Sequence, residues 1–163
     1  MTGSSDEGPT ALGVSVCFVC YGNICRSPMA QALFEDRVRR AGLDSRISAD
    51  SAGTSREHLG EQPHIGTRLQ LQRMGIRFHH TARPLLPRDG QIYAHLLALD
   101  SAILAQIRST GLSQARLLME YAPDARVLDV PDPWYTGDFQ ETACLVGPAV
   151  EGLLSAIRRE HGW

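Results

Sequence analysis

Cys20 and Arg26 bracket the run Cys20-Tyr-Gly-Asn-Ile-Cys-Arg26-Ser27, a thiol and a guanidinium separated by five residues. That pairing suits the transfer of a phosphoryl group to sulfur. Backbone N–H groups of a short loop can point inward as a nest, and a helix beginning behind the loop adds partial positive charge. Arg26 supplies a planar fork that grips two phosphoryl oxygens. The same positive field favours the thiolate of Cys20, which is the nucleophilic form, and Gly22 lets the backbone turn tightly. Each residue alone has a plainer reading: Cys20 as a small buried hydrophobe at a strand end, Arg26 as a solvated surface group. Only the flanking elements raise the run above that.

Those elements are legible. Val14-Ser-Val-Cys-Phe-Val19 is apolar and β-branched without polar alternation, as in a strand buried on both faces of a parallel sheet. After the loop, Ser27-Pro28 reads as a helix start, serine as N-cap and proline at the first helical position. Leu33, Phe34, Val38 and Ala41 then recur at helical spacing, and Gly42 ends the helix. Ile47 to Ser51 is a second strand candidate, running into Ala52-Gly53-Thr54. The polar loop from Ser55 to Pro63 is placed to border a site, and His64 to Met74 is helical up to Gly75. Ile92 to Leu99 reads as a third strand, Asp100 to Arg108 as a helix, and Arg126 to Val130 as a short fourth strand. Val146, Val150, Leu153, Leu154 and Ile157 mark a closing helix that Pro148 should start or kink. Strands alternating with helices imply right-handed βαβ units, hence an α/β domain with an open four-stranded parallel sheet and helices on both faces. Such sheets bind ligands at the carboxyl ends of their strands, where the cysteine loop falls.

Composition narrows the field. The 163 residues favour one domain with a single core, residues 13–163, preceded by a polar, disordered tail over residues 1–12. A net charge of −2 argues against nucleic acid as a partner. No apolar run approaches the roughly 20 residues that span a bilayer, so no membrane association is expected, and the tail lacks the basic start and apolar stretch of a signal peptide. Four cysteines, at 17, 20, 25 and 144, make no disulfide framework and point to reduced thiols in a cytoplasmic setting, with secretion without a signal peptide left open. Cys17 and Cys20 form a C-x-x-C pair, but no second pair completes a zinc site, and His58, His64, His79, His95 and His161 lack metal-ligand spacing, most of them reading as solvated loop or helix residues. No G-x-x-x-x-G-K-[ST] run supports a nucleotide-triphosphate cradle. Neither a metal nor a cofactor is called for.

Four motifs in order, Cys20-Tyr-Gly-Asn-Ile-Cys-Arg-Ser-Pro-Met-Ala, Asp50-Ser-Ala-Gly-Thr-Ser55, Leu97-Ala-Leu-Asp100 and Val130-Pro-Asp-Pro-Trp-Tyr135, closely resemble the low-molecular-weight protein tyrosine phosphatase family from about Val14 to the C-terminus. The resemblance implies a flavodoxin-like phosphatase fold and hydrolysis of protein phosphotyrosine and small aryl phosphates. It makes Cys20 the nucleophile of a phosphocysteine intermediate, Arg26 the stabiliser of the transition state and Asp132 the general acid, then base. Tyr21, Gly22, Asn23, Ile24, Cys25 and Ser27 complete the phosphate loop, with Ser27 easing thiolate formation. Asn23 braces the loop from Ser51, while His80 and Asp100 support it from behind. Tyr21, Trp134 and Tyr135 wall an aryl cleft, though the family often has leucine where this chain has Tyr21 and tyrosine where it has Trp134. Cys25 is the implied redox partner of Cys20, forming a disulfide that guards the nucleophile. The implied partners are a phosphotyrosine protein as substrate and phosphate or other oxyanions as competitors, with the chain acting as a monomer.

Read without the family, Pro-Asp-Pro is first a turn signal and Tyr21 as readily a core-edge aromatic as a substrate contact. Three alternatives share the loop. An arsenate reductase needs two further cysteines, and none lies between Cys25 and Cys144. A protein arginine phosphatase carries threonine at the position of Ile24. A silent phosphate-binding module needs none of the reactive residues.

Overall fold

Residues 13–124 and 126–163 are described by a computed structural model. Strand β1, Val14–Cys20, is buried along its whole length and pairs in parallel with β2, Ile47–Gly53, on one side and β3, His95–Ala98, on the other. Strand β4, Arg116–Leu117, closes the order β2-β1-β3-β4. Alternation along β1 divides the core. Val14, Val16, Phe18 and Cys20 face helices α1 (Arg26–Arg40) and α6 (Phe139–His161), whereas Cys17 and Val19 face α4 (Ser101–Ser109). Both faces are therefore covered, as the unbroken apolar character of β1 requires.

The α/β sheet expected from the sequence is present, with differences at its edges. The fourth strand is not Arg126–Val130. Arg116 and Leu117 pair with Leu97 and Ala98 instead, and the chain then tightens into a 3-10 turn, Leu118–Tyr121. Val127 and Leu128, apparent strand residues in sequence, are exposed, and Val130 keeps one backbone tie to the sheet, its N–H donating to Leu99 O at 3.0 Å. The third strand is shorter than Ile92–Leu99, because Ile92 closes a one-turn helix, α3, Asp89–Ile92. Helix α2, Ile65–Arg73, is capped by His64, and α4 is capped by Asp100, whose side chain accepts from Ile103 N at 2.7 Å.

Two helix ends also differ. Helix α1 starts at Arg26, with Cys25 in the N-cap position and no side-chain cap, so Ser27 lies inside the first turn. Its hydroxyl is engaged elsewhere, as described below. Helix α6 starts at Phe139 and runs continuously through Pro148. Proline removes the bond that would go back to the carbonyl of Cys144, and both residues lie on the exposed face of the helix. The tail expected over residues 1–12 lies outside the described residues. No helix among the described residues is long and apolar enough to cross a membrane.

Candidate active site

The carboxyl end of β1 delivers Cys20 to the amino end of α1, and five residues of loop join them. Asn23 takes the left-handed conformation, φ 57°, which an asparagine tolerates better than most residues, and its own N–H donates to Cys20 Sγ at 3.3 Å. The first turn of α1 has no side-chain cap and no acidic residue, so its amide N–H groups and dipole favour an anion in front of them. Cys20 is 3% exposed.

Hydrogen-bond direction around this loop is fixed by one unambiguous donor. Arg83 N–H donates to Asn23 Oδ1 at 3.0 Å, so that atom is the carbonyl oxygen and Nδ2 is the donor. Nδ2 donates to Ser27 Oγ at 2.8 Å and to Ser51 Oγ at 3.0 Å, and Ser51 donates onward to Gln31 Oε1 at 2.7 Å. The Ser27 hydroxyl can donate to Cys20 Sγ at 3.0 Å or to Ala52 O at 3.5 Å, the sulfur being the nearer. A chain of fixed dipoles ends on the sulfur and favours negative charge there. His80 Nε2 donates to Asn23 Oδ1 at 2.8 Å, which places the imidazole proton on Nε2. Burial, opposed by the Asp50 carboxylate and aided by Arg83, lowers the His80 pKa and keeps the ring neutral.

Arg26 is 4% exposed and its Nη1 is committed twice, to Asp100 Oδ2 at 2.6 Å and to Val130 O at 2.9 Å. Burial alone would lower its pKa. Attraction to Cys20, the hydrogen bond to Asp100 and the carboxylates of Asp132 and Asp100 reverse that, and the net shift is upward. Asp100 serves at once as cap of α4 and as anchor of the guanidinium. The irregular segment before Val130 therefore has a use in the site that a sheet strand would not give it.

Asp132 opens a one-turn helix, α5, Pro133–Thr136, and its Oδ1 accepts from Trp134 N at 3.0 Å. Its Oδ2 lies 3.6 Å from Arg26 Nη2. Between this loop and Cys20 lies a pocket of about 140 Å³ whose lining runs from the buried Cys20 and Arg26 out to the exposed Trp134 and Tyr135. Tyr21 lines it as well, with its hydroxyl donating to Glu57 at 2.8 Å, a bond that raises the phenol pKa.

All the residues singled out in sequence fall in or behind this pocket. Two that were not, Glu57 and His58, also line it. They come from the loop after β2, and no spacing marks them. His58 is not a solvated residue: its ring lies beside Trp134 at 5.2 Å and so close to Gly22 that a Cβ there would meet its Cδ2 at 2.9 Å. His64 is likewise engaged, by the cap of α2 and by two aromatic neighbours. Cys25 lines the pocket beside Cys20, and its thiol is pushed up to about 12 by burial, by the Cys20 charge and by Asp132, so it stays protonated. Cys17 is buried in β1 and Cys144 is exposed on α6.

This geometry has known relatives. The profile of the family described as Low molecular weight phosphotyrosine protein phosphatase matches residues 15–162. The chain belongs to that family. It is 41% identical over 152 residues to the low molecular weight protein-tyrosine-phosphatase YfkJ of Bacillus subtilis, covering 90% of this chain and 97% of that protein. It is also 41% identical over 154 residues to the low molecular weight protein-tyrosine-phosphatase of Streptomyces coelicolor, covering 89% and 94%. The crystal structure of YfkJ superposes with a TM-score of 0.88 over 91% of this chain and 96% of that one. This low molecular weight phosphatase is accordingly a hydrolase of phosphoric monoesters, built on the four-stranded parallel sheet of its relatives.

Proposed function

We propose that this phosphatase hydrolyses phosphotyrosine in proteins, and small aryl phosphates, through a phosphocysteine on Cys20. The observation that carries the reading is the convergence on one sulfur of the Ser27 hydroxyl at 3.0 Å and the Asn23 amide at 3.3 Å, with Asp132 and Arg26 on the same pocket. In the first step Cys20 Sγ attacks phosphorus, the sulfur–phosphorus bond forms and the bond to the aryl oxygen breaks. Protonated Asp132 gives its proton to that departing oxygen. Arg26 and the loop amides meet the charge spread over the equatorial oxygens. In the second step the Asp132 carboxylate takes a proton from water as the water attacks phosphorus, and phosphate leaves with the Cys20 thiolate restored.

Oδ1 of Asp132 already accepts from Trp134 N, so Oδ2 is the oxygen assigned to carry the proton. The exposed Trp134 and Tyr135 line the pocket together with the buried Cys20 and Arg26, an aromatic lining that suits an aryl ring over a seryl phosphate. Cys25, kept as a thiol next to the nucleophile, is proposed to attack a Cys20 sulfenic acid formed by peroxide, releasing water and closing a reversible disulfide.

The test is steady-state hydrolysis of p-nitrophenyl phosphate and a phosphotyrosyl peptide by wild type, Cys20→Ser and Asp132→Asn, with a chelator present and inorganic phosphate as competitor. The reading expects turnover by wild type despite the chelator, competitive inhibition by phosphate and loss of turnover in Cys20→Ser. Undiminished turnover by Cys20→Ser contradicts it. A wild-type enzyme that binds phosphate but turns over neither substrate favours the silent binding module.

A further inference from the structure

Four aromatic rings cluster beside the pocket. Trp134 of the acid loop lies 5.2 Å from His58 and 5.7 Å from His64 between ring centroids, and His64 stacks on Phe139 at 4.9 Å with an interplanar angle of 22°. Phe139 begins α6 and packs with Ile24, Cys25 and Ala82. A Cβ at Gly66 would run into the Phe139 ring, so glycine at this point of α2 is what lets the ring lie there.

His64 is the member of the stack that touches both halves of the site. Its backbone N–H donates to Ile24 O, in the phosphate loop, at 2.7 Å. Its Nδ1 accepts from Gly66 N at 2.9 Å as the cap of α2, which fixes the angle of the ring. Its edge meets Trp134 at 80°, in the T-shaped arrangement that ring quadrupoles favour. The base of the acid loop is held by buried Pro133 and by Arg26 near Asp132 Oδ2, and its outer part rests on the rings of His58 and His64, of which only His64 also bonds the phosphate loop. Helix α5 is a single turn, and Trp134 and Tyr135 are 52% and 84% exposed. Asp132 Oδ1 accepts from the backbone N–H of Trp134, so the carboxyl is tied to the residue whose indole rests on His64.

We infer that His64 is a positioning residue for proton transfer: its ring, wedged between Trp134 and Phe139, registers Asp132 against the phosphate loop so that the carboxyl meets the leaving oxygen. The inference rests on Asp132 being the general acid. Proton transfer needs the two heavy atoms within about 2.6–3.2 Å, and a displacement of about 1 Å can cost on the order of 10²-fold in rate.

The experiment separates ring from cap. His64→Asn keeps a side-chain acceptor for Gly66 N and loses the ring, whereas His64→Phe keeps the ring and loses the acceptor. The readout is kcat/KM over a series of aryl phosphates from good leaving groups (2,4-dinitrophenyl) to poor ones (phenyl), with Asp132→Asn alongside and thermal melts to establish folding. A good leaving group needs no proton, so a misplaced acid is felt by poor ones alone. The expected result for His64→Asn is a loss of about tenfold or more on phenyl phosphate with the dinitrophenyl ester little changed, while His64→Phe keeps the wild-type slope. Phe139→Leu, which leaves the cap of α2 intact, should steepen the slope in the same direction. A uniform loss across the series in His64→Asn and Phe139→Leu overturns the inference, as does a slope in His64→Phe as steep as in His64→Asn. If those variants show uniform losses while Asp132→Asn is steep, the positioning role alone fails. If Asp132→Asn is itself flat, the acid assignment falls and the positioning role with it.

Discussion

Asn23 and His80 meet behind the phosphate loop: the asparagine, at φ 57°, accepts the Nε2–H of the histidine at 2.8 Å on the same oxygen that accepts Arg83 N–H. One side chain thus converts a strained backbone position into a junction of four hydrogen bonds. Replacing Asn23 by alanine keeps the unfavourable φ and leaves Ser27, Ser51 and His80 without their shared partner. The expected loss is about 2–5 kcal/mol, from roughly 1–2 for the left-handed residue and 1–3 for the orphaned polar groups. Asn23→Gly relieves the first part alone and should be the less destabilised of the two in urea unfolding. Equal stability of both variants and wild type would contradict this account of the junction.

The His80 ring gives the junction a pH dependence. Burial is the main cause of its lowered pKa, with Arg83 in the same sense and Asp50 opposed. In the unfolded chain the imidazole takes up its proton near the ordinary value of about 6.5, whereas in the fold it does so only at lower pH. The unfolded state therefore binds more protons in that window, and the stability present above it is lost as pH falls through the folded-state value. His80→Gln keeps a donor for Asn23 Oδ1 and does not titrate, so its melting temperature should fall less than that of wild type between about pH 7.5 and 5. Some slope remains from His95, which is also lowered by burial and faces Glu160, His161 and Arg116. Identical slopes in wild type and variant would remove His80 from the account.

Arg26 is held by two acceptors on one nitrogen, and that commitment predicts an asymmetry between substitutions. Lysine keeps the charge but has neither a planar fork nor the reach to satisfy Asp100 and Val130 O while meeting a phosphoryl group. Arg26→Lys should reduce kcat by about 10²–10³-fold, in the range found for removing a principal charge-stabilising donor. Asp100→Asn keeps one oxygen, which can accept from Nη1 or from Ile103 N but not from both, and since the guanidinium still has Val130 O it should lose considerably less. A reversal of that order, measured on p-nitrophenyl phosphate, would show that the anchor matters more than the fork.

The thiols should differ sharply in reactivity. Cys25, pushed up to about 12, stays protonated at neutral pH, and Cys17 is raised by burial as well. Iodoacetate near pH 7 should alkylate Cys20 with loss of activity, and inorganic phosphate should protect it. Peptide mapping should find Cys25 unmodified under the same conditions. Preferential alkylation of Cys25 would overturn the assignment of the thiolate. After peroxide and then thiol reduction, Cys25→Ala should recover less activity than wild type, and equal recovery would end the proposed disulfide.

How much of this was legible in sequence depended on whether the chemistry was contiguous. Cys20 to Ser27 sits on one stretch between a buried strand and a helix start, so local rules suffice there, whereas Pro-Asp-Pro reads first as a turn and Asp132 takes its role only from the family resemblance. Serine before proline carries the signal of an N-cap, yet Ser27 lies inside the first turn of α1. The folded chain uses that hydroxyl on Cys20, and the uncapped amides face the pocket instead. Strand β4 escaped notice because two residues carry no periodicity, while Val127, Leu128 and Val130 imitated a strand and in fact lead the Val130 carbonyl to Arg26. Glu57, His58 and His64 were illegible for a different reason. Each acquires its role from a ring or loop distant in the chain, and a lone polar residue in a polar loop carries no mark of its tertiary neighbours.

The central claim is a covalent phosphoryl–sulfur bond on Cys20, and it is tested most directly by quenching the enzyme during turnover of an aryl phosphate and mapping phosphoryl groups by mass spectrometry. The account predicts a single phosphoryl group on the peptide containing Cys20, formed by wild type and absent from Cys20→Ala, which should also release no phenol. Sustained phenol release by Cys20→Ala, or wild-type turnover with the phosphoryl group on any other residue, would contradict it.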